Sequence, residues 1–289
     1  MIRSFLFCPA DSERKMQKAL ASSADAIIFD LEDSVAADRR VDARKMAAAN
    51  IDGNDRVWVR INPLDTEAAD LDLEAVVPAA PAGIILPKPE SAADAVDLAA
   101  RLAELEPAAA QGRTRIVCIC TEKPEALFTL GGYRGATERL AGLSWGAEDL
   151  SAAVGATASR GESGEWLAPY QLARSLCLFA ATAAGVPAID TVYTDFRNEE
   201  GLRQYAAHAR RDGFGGMLAI HPAQVEVINR AFAPRPDEIQ RAERIVKLFA
   251  DNPCAGVLSM DGAMLDRPHV VQAERILALA NAIARKEST

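Results

Sequence analysis

Short apolar runs rich in Val, Ile and Phe alternate with helical patterns of roughly 10 to 18 residues along most of the chain, which is the signature of parallel βα units. The runs at 3–8, 26–29, 56–62, 83–86, 116–122, 143–149, 188–192 and 216–220 predict eight strands. Between and after them, helical periodicity predicts helices over 12–22, 41–49, 92–105, 169–184 and 199–211. Eight such units predict an α/β fold of the closed (β/α)8 or TIM barrel class over residues 1–233. The remaining stretch, 234–289, holds more helix than closure requires, with a glycine-bearing connection around 256–266. It is expected to be a C-terminal helical extension packing on a neighbouring subunit.

The polar residues that follow the apolar runs give this architecture a function. Asp30, Glu32 and Asp33; Arg60 and Asn62; Lys88; Glu122; Glu148 and Asp149; Asp190 and Tyr193; and His221 all fall where strands end. In a barrel of parallel strands these ends share one mouth, and active sites are built there. The sequence Leu143-Ser144-Trp145-Gly146-Ala147-Glu148-Asp149-Leu150 delivers two acids after a glycine turn, and the run ending at Glu122 delivers another about 25 residues earlier. Glu122 and Asp149, with no local His or Cys, suit a hard oxygen-preferring cation such as Mg²⁺. The same acids could instead act as helix N-terminal charges. Arg60 can hold a carboxylate or carbonyl by paired hydrogen bonds, salt-bridge the acids at 30–33, or do both with Glu32 orienting it.

Composition narrows the classes. With 289 residues and 49% hydrophobic content, the chain can bury a large core. A net charge of -9 without a strong basic run argues against nucleic-acid and anionic-membrane partners. No apolar run spans a bilayer, and Asp11, Glu13 and Arg14 interrupt any signal-peptide core, so a cytoplasmic enzyme is expected. Five cysteines without CxxC spacing read as free thiols. Lys15 and Lys18, three positions apart on the first helix, form either a solvated face or a phosphate clamp. Lys88, set between two prolines, could be a Schiff-base lysine, a reading that the metal pair disfavours.

The motifs Arg3-Ser4-Phe5-Leu6-Phe7-Cys8-Pro9, Asp30-Leu31-Glu32-Asp33, Val59-Arg60-Ile61-Asn62, Leu86-Pro87-Lys88, Thr121-Glu122, Gly146-Ala147-Glu148-Asp149-Leu150 and Ile220-His221-Pro222 occur in order along nearly the whole chain. In these motifs the chain resembles the citrate lyase beta subunit-like (CitE-like) branch of the HpcH/HpaI aldolase family. The resemblance implies a Mg²⁺-dependent barrel, commonly a homotrimer, that makes or breaks a carbon–carbon bond between a coenzyme A thioester and a 2-oxo acid. By resemblance, Glu122 and Asp149 hold the metal, Arg60, Glu122 and Asn62 bind substrate, and Arg60, Glu32 and Asp266 are catalytic. Asp266 is the acid a neighbouring subunit would contribute, while Arg3 and Lys18 would meet the coenzyme A end. The chain departs from the common pattern at Lys123, where a small hydroxyl residue is usual, and at Cys8, where valine is usual. The expected activity is lyase cleavage of a citramalyl-CoA or malyl-CoA type thioester. The alternatives are malate-synthase-like condensation with thioester hydrolysis, and a class II aldolase using pyruvate and an aldehyde without coenzyme A.

Overall fold

The computed structural model describes residues 2–51, 53–162 and 164–287. The chain divides into two compact units, 2–228 and the segment from Asn229 onward.

The larger unit is a closed barrel of eight parallel strands in sequential order. They are β1 (Ser4–Pro9), β2 (Ala26–Asp30), β3 (Val57–Arg60), β4 (Gly83–Leu86), β5 (Arg115–Ile119), β6 (Leu140–Ser144), β7 (Ala188–Asp190) and β8 (Gly216–Ala219), with β8 pairing back to β1. The α-helices between them are α1 (Glu13–Leu20), α2 (Arg40–Ile51), α3 (Glu67–Val76), α4 (Ala92–Leu105), α5 (Ala147–Ala153), α6 (Ala168–Ala184) and α7 (Glu199–Asp212), and α8 (Pro222–Phe232) follows β8. Alternate strand residues all round the barrel, among them Phe5, Ile28, Trp58, Ile85, Val117, Ile189 and Leu218, pack into one buried cluster that fills its interior. Gly83 makes room for the largest of them, since a Cβ there would lie 2.2 Å from the Trp58 ring.

Local chemistry explains the helices. Helix α4 starts in a capping box: Ser91 Oγ accepts from Ala93 N, Asp94 accepts from Ser91 N, and Ala95, Leu98 and Leu102 form the buried stripe. The β5–β6 connection carries 3-10 turns at Pro124–Phe128 and Leu130–Tyr133, where a proline and the Gly131–Gly132 pair disfavour a longer helix. The connection in the C-terminal stretch is an antiparallel hairpin, β9 (Val257–Met260) with β10 (Ala263–Asp266). Asp261 and Gly262 turn it with φ of 52° and 78°, the backbone a tight two-residue hairpin needs.

That hairpin belongs to the second unit, with α9 (Pro236–Ala250) and α10 (Arg267–Glu287). Its own core joins Ala242, Ile245, Phe249, Met260, Leu265, Val270 and Ala273.

Candidate active site

Strand register sets the site. Asp30 ends β2 directly beside Arg60, which ends β3, and both continue the interior-facing alternation of Ile28 and Trp58. The guanidinium therefore forks onto one carboxylate, Nε donating to Asp30 Oδ1 at 2.7 Å and Nη2 to Oδ2 at 2.8 Å. Its third nitrogen, Nη1, lies 3.0 Å from Glu32 Oε2 as an ion pair without hydrogen-bond alignment, and its flat face rests 4.8 Å from the centre of the Phe7 ring. Burial pushes the Asp30 carboxyl up, but the Arg60 hydrogen bonds and charge more than reverse that and hold it below the usual range. Glu32 goes the other way, raised by burial against the pull of Arg60 and Lys88.

Glu122 and Asp149 stand at the same mouth. Glu122 is three residues past β5, and Asp149 lies in the first turn of α5, which leaves β6 through Gly146. Thr121 Oγ1 accepts from Gly146 N at 3.2 Å and ties the two connections together. Gly146 has an ordinary φ of -114°, so its glycine is required by space and not by the turn. A Cβ there would sit 2.5 Å from Glu122 Cγ. Trp145 is fixed just before it: its indole donates to Asp190 Oδ1 at 2.6 Å, and Asp190 is held in turn by Arg174. Asp190 is thus a support behind the mouth.

Glu122 is only 4% exposed. Burial first, then the charges of Asp149 and Glu32, drive its carboxyl well above the ordinary range. Lys88 meets this acidic cluster with its backbone N–H 2.6 Å from Glu122 Oε2 and its Nζ 2.7 Å from Glu32 Oε1 and 3.2 Å from Asp149 Oδ1. Burial pulls its ammonium down, but Glu32, Asp149 and Asp33 outweigh that and keep it above the ordinary lysine range. A protonated amine is no Schiff-base nucleophile.

The donor set fits a hard divalent cation. It presents carboxylate oxygens, one of them buried and electrostatically uncomfortable without a cation, in a space that Gly146 keeps open. Among the described residues no group of three or more His, Cys, Asp or Glu side chains is arranged to hold a metal. Two protein carboxylates leave the other positions to water and substrate, as Mg²⁺ prefers.

Beside Phe7 a cavity of about 510 Å³ opens between β1, α1 and the end of β8, with Arg14, Lys15, Lys18, Ile220 and His221 in its wall. His221 caps α8 by accepting from Ala223 N and stacks on Phe196 at 4.8 Å.

Two expected site residues lie elsewhere. Arg3 precedes β1 and forks onto Asp25, which precedes β2, so it occupies the opposite mouth of the barrel from Glu122. Asn62 is buried under the rim, its amide donating to Leu31 O and to Asp72 of α3 at 2.7 Å. It braces the chain after β3. Lys123 turns outward to Glu90 at 2.7 Å, which spends its charge away from the acids. Cys8, Cys118, Cys120 and Cys177 are buried and Cys254 exposed, all as free thiols. Asp266, at the end of β10, lies 2.5 Å from His269 Nδ1. Sequence reasoning missed Phe7, whose signal was its place two residues beyond Phe5 on an inward-facing series, and it missed the double contact of Lys88.

Known proteins resemble this chain along most of its length. Residues 3–222 match the family model described as HpcH/HpaI aldolase/citrate lyase. A (3S)-malyl-CoA thioesterase of Cereibacter sphaeroides is 37% identical, over 98% of this chain and 95% of the relative. Citrate lyase subunit beta of Haemophilus influenzae is 35% identical, over 99% of both. The crystal structure of CitE from Mycobacterium tuberculosis in complex with magnesium, acetoacetate and coenzyme A superposes with a TM-score of 0.82 at 33% identity, over 96% of this chain and 98% of that one.

Proposed function

The chain belongs to the HpcH/HpaI aldolase/citrate lyase family, and from that premise we propose that it is a Mg²⁺-dependent lyase cleaving a 3-hydroxyacyl-CoA thioester of the citramalyl-CoA or malyl-CoA type to acetyl-CoA and a 2-oxo acid. The observation that carries the reading is the meeting of Glu122, Asp149, Glu32 and Arg60 at one barrel mouth beside a basic-walled cavity.

Glu122 and Asp149 would hold the cation, which supplies Lewis acidity and a template for a substrate hydroxyl and its neighbouring carboxylate. Arg60 is preorganised by Asp30 and Glu32 to offset the negative charge that builds on the substrate's hydroxyl oxygen before the carbon–carbon bond breaks and passes that charge to the thioester enolate. The thioester enolate released in that step needs a proton at carbon, and Asp266 of a neighbouring copy is the acid proposed to give it. Lys15 and Lys18, with Arg14, form the basic wall that suits the phosphates of coenzyme A, and the apolar side of the cavity at Phe7 and Ile220 suits its acyl arm. A homotrimer fits the proposed sharing of Asp266.

The relatives named thioesterases favour a second reading, in which the same site directs water onto the thioester carbonyl. The two are separated by incubating malyl-CoA and citramalyl-CoA with the protein and Mg²⁺ and following oxo acid and free thiol independently. Oxo acid without thiol marks a lyase; thiol without oxo acid marks a hydrolase.

A further inference from the structure

Lys88 combines two backbone features that oppose each other. Its φ is 50°, in the left-handed region that a side chain disfavours, and it precedes Pro89, which biases it towards extended backbone. Strain of this kind persists where the surroundings impose it and the result is used. Here the twist lets one residue reach both proposed metal carboxylates from different atoms. The N–H donates to Glu122 Oε2 at 2.6 Å, and Nζ lies 3.2 Å from Asp149 Oδ1. The ammonium has other acceptors already in reach, Glu32 Oε1 at 2.7 Å and Asp33 Oδ1 at 3.5 Å.

We propose that Lys88 is a positioning residue that acts as a built-in counter-ion of the metal site. Its N–H fixes Glu122 for the ion, and its ammonium steadies Asp149 until a divalent cation takes its place, then stays with Glu32 and Asp33. The inference rests on Glu122 and Asp149 being the metal ligands. It follows from charge: two neighbouring carboxylates need a cation between them, and a divalent ion seated there repels an ammonium beside the same oxygen. A site with an internal competitor binds its metal more weakly than the same carboxylates would alone.

The test is Mn²⁺ binding to the full-length protein without substrate, read by electron paramagnetic resonance of free Mn²⁺. The variants are Lys88→Met and Lys88→Gln, which keep the N–H and drop the charge, and Glu122→Gln, with circular dichroism to check folding. Removing the ammonium is expected to tighten Mn²⁺ binding roughly tenfold, the effect of one close charge. Unchanged or weaker binding in both Lys88 variants, with binding lost in Glu122→Gln, would overturn the counter-ion role and leave the metal site standing. If Glu122→Gln binds Mn²⁺ as the unaltered protein does, the metal assignment falls and this inference with it. A merely structural lysine would lower the melting temperature without tightening the metal.

Discussion

A carboxylate sheltered from water is a burden to the fold until a cation reaches it, and Glu122 is such a group. Its pKa is raised in the folded state, so the folded protein binds this proton more readily than the unfolded chain. The associated stability is present below the unfolded carboxylate range and is lost as pH rises through the folded value. Glu122→Gln is therefore expected to raise the melting temperature of the metal-free protein near neutral pH, by about 2–4 °C for each kcal/mol relieved, while abolishing metal binding and turnover. Scanning calorimetry in a chelator checks the first part, and a lower melting temperature would contradict it. Arg60→Lys keeps the charge and loses the fork, with turnover expected to fall on the order of 10²-fold or more in steady-state kinetics. The shared mouth of Glu122, Asp149 and Arg60 was legible because each follows an apolar run, and their roles there stay proposals. Arg3 misled through its motif although it stands before its strand and so at the other mouth. Asn62 misled because its partner, Asp72, sits on α3, a helix the apolar pattern does not announce.

Among the elements, the β6–α5 corner decides how Glu122 and Asp149 meet. Gly146→Ala would drive a methyl to 2.5 Å from Glu122 Cγ, so metal affinity should drop in calorimetric titration and stability should fall by about 1–3 kcal/mol. A variant that binds metal normally would show that the close approach is not needed. A second element contact gives a pH signature. Glu106, at the end of α4, receives Arg139 through two nitrogens at 2.8 and 2.9 Å and the amides of Gly112 and Thr114. Against the opposing effect of burial, these partners pull its carboxyl down to about 2. Its stabilisation is complete above the unfolded value of 4.5 and is lost as pH falls from there towards 2. The melting-temperature gap between the unaltered protein and Glu106→Gln is expected to close across that window, and a gap that stays constant would contradict the linkage. The sequence showed the barrel elements well because buried parallel strands read as apolar runs. It hid β9 and β10, whose exposed Val257 and Met264 carry no alternation strong enough to mark so short a hairpin.

For the whole molecule, the proposals join a barrel mouth to Asp266 from another copy. Asp266→Asn is expected to keep Mn²⁺ affinity and lose most of its turnover. Co-expressed with Glu122→Gln, it should regain about a quarter of the normal activity per site if copies mix at random in a symmetric oligomer, and no recovery would argue that each chain serves itself. Net charge and hydropathy argued against nucleic-acid and membrane partners, and among the described residues no helix is long and apolar enough to cross a membrane. They could not choose between lyase and thioesterase chemistry, because both use the same acids and differ in where one water or one proton is delivered. The measurement that reaches this point most directly is the paired time course of 2-oxo acid and free thiol from malyl-CoA and citramalyl-CoA, with Mg²⁺ and with excess EDTA. Oxo acid appearing without thiol, and stopping in EDTA, is the expected result; thiol appearing without oxo acid, or oxo-acid release undisturbed by EDTA, would contradict a metal-dependent lyase.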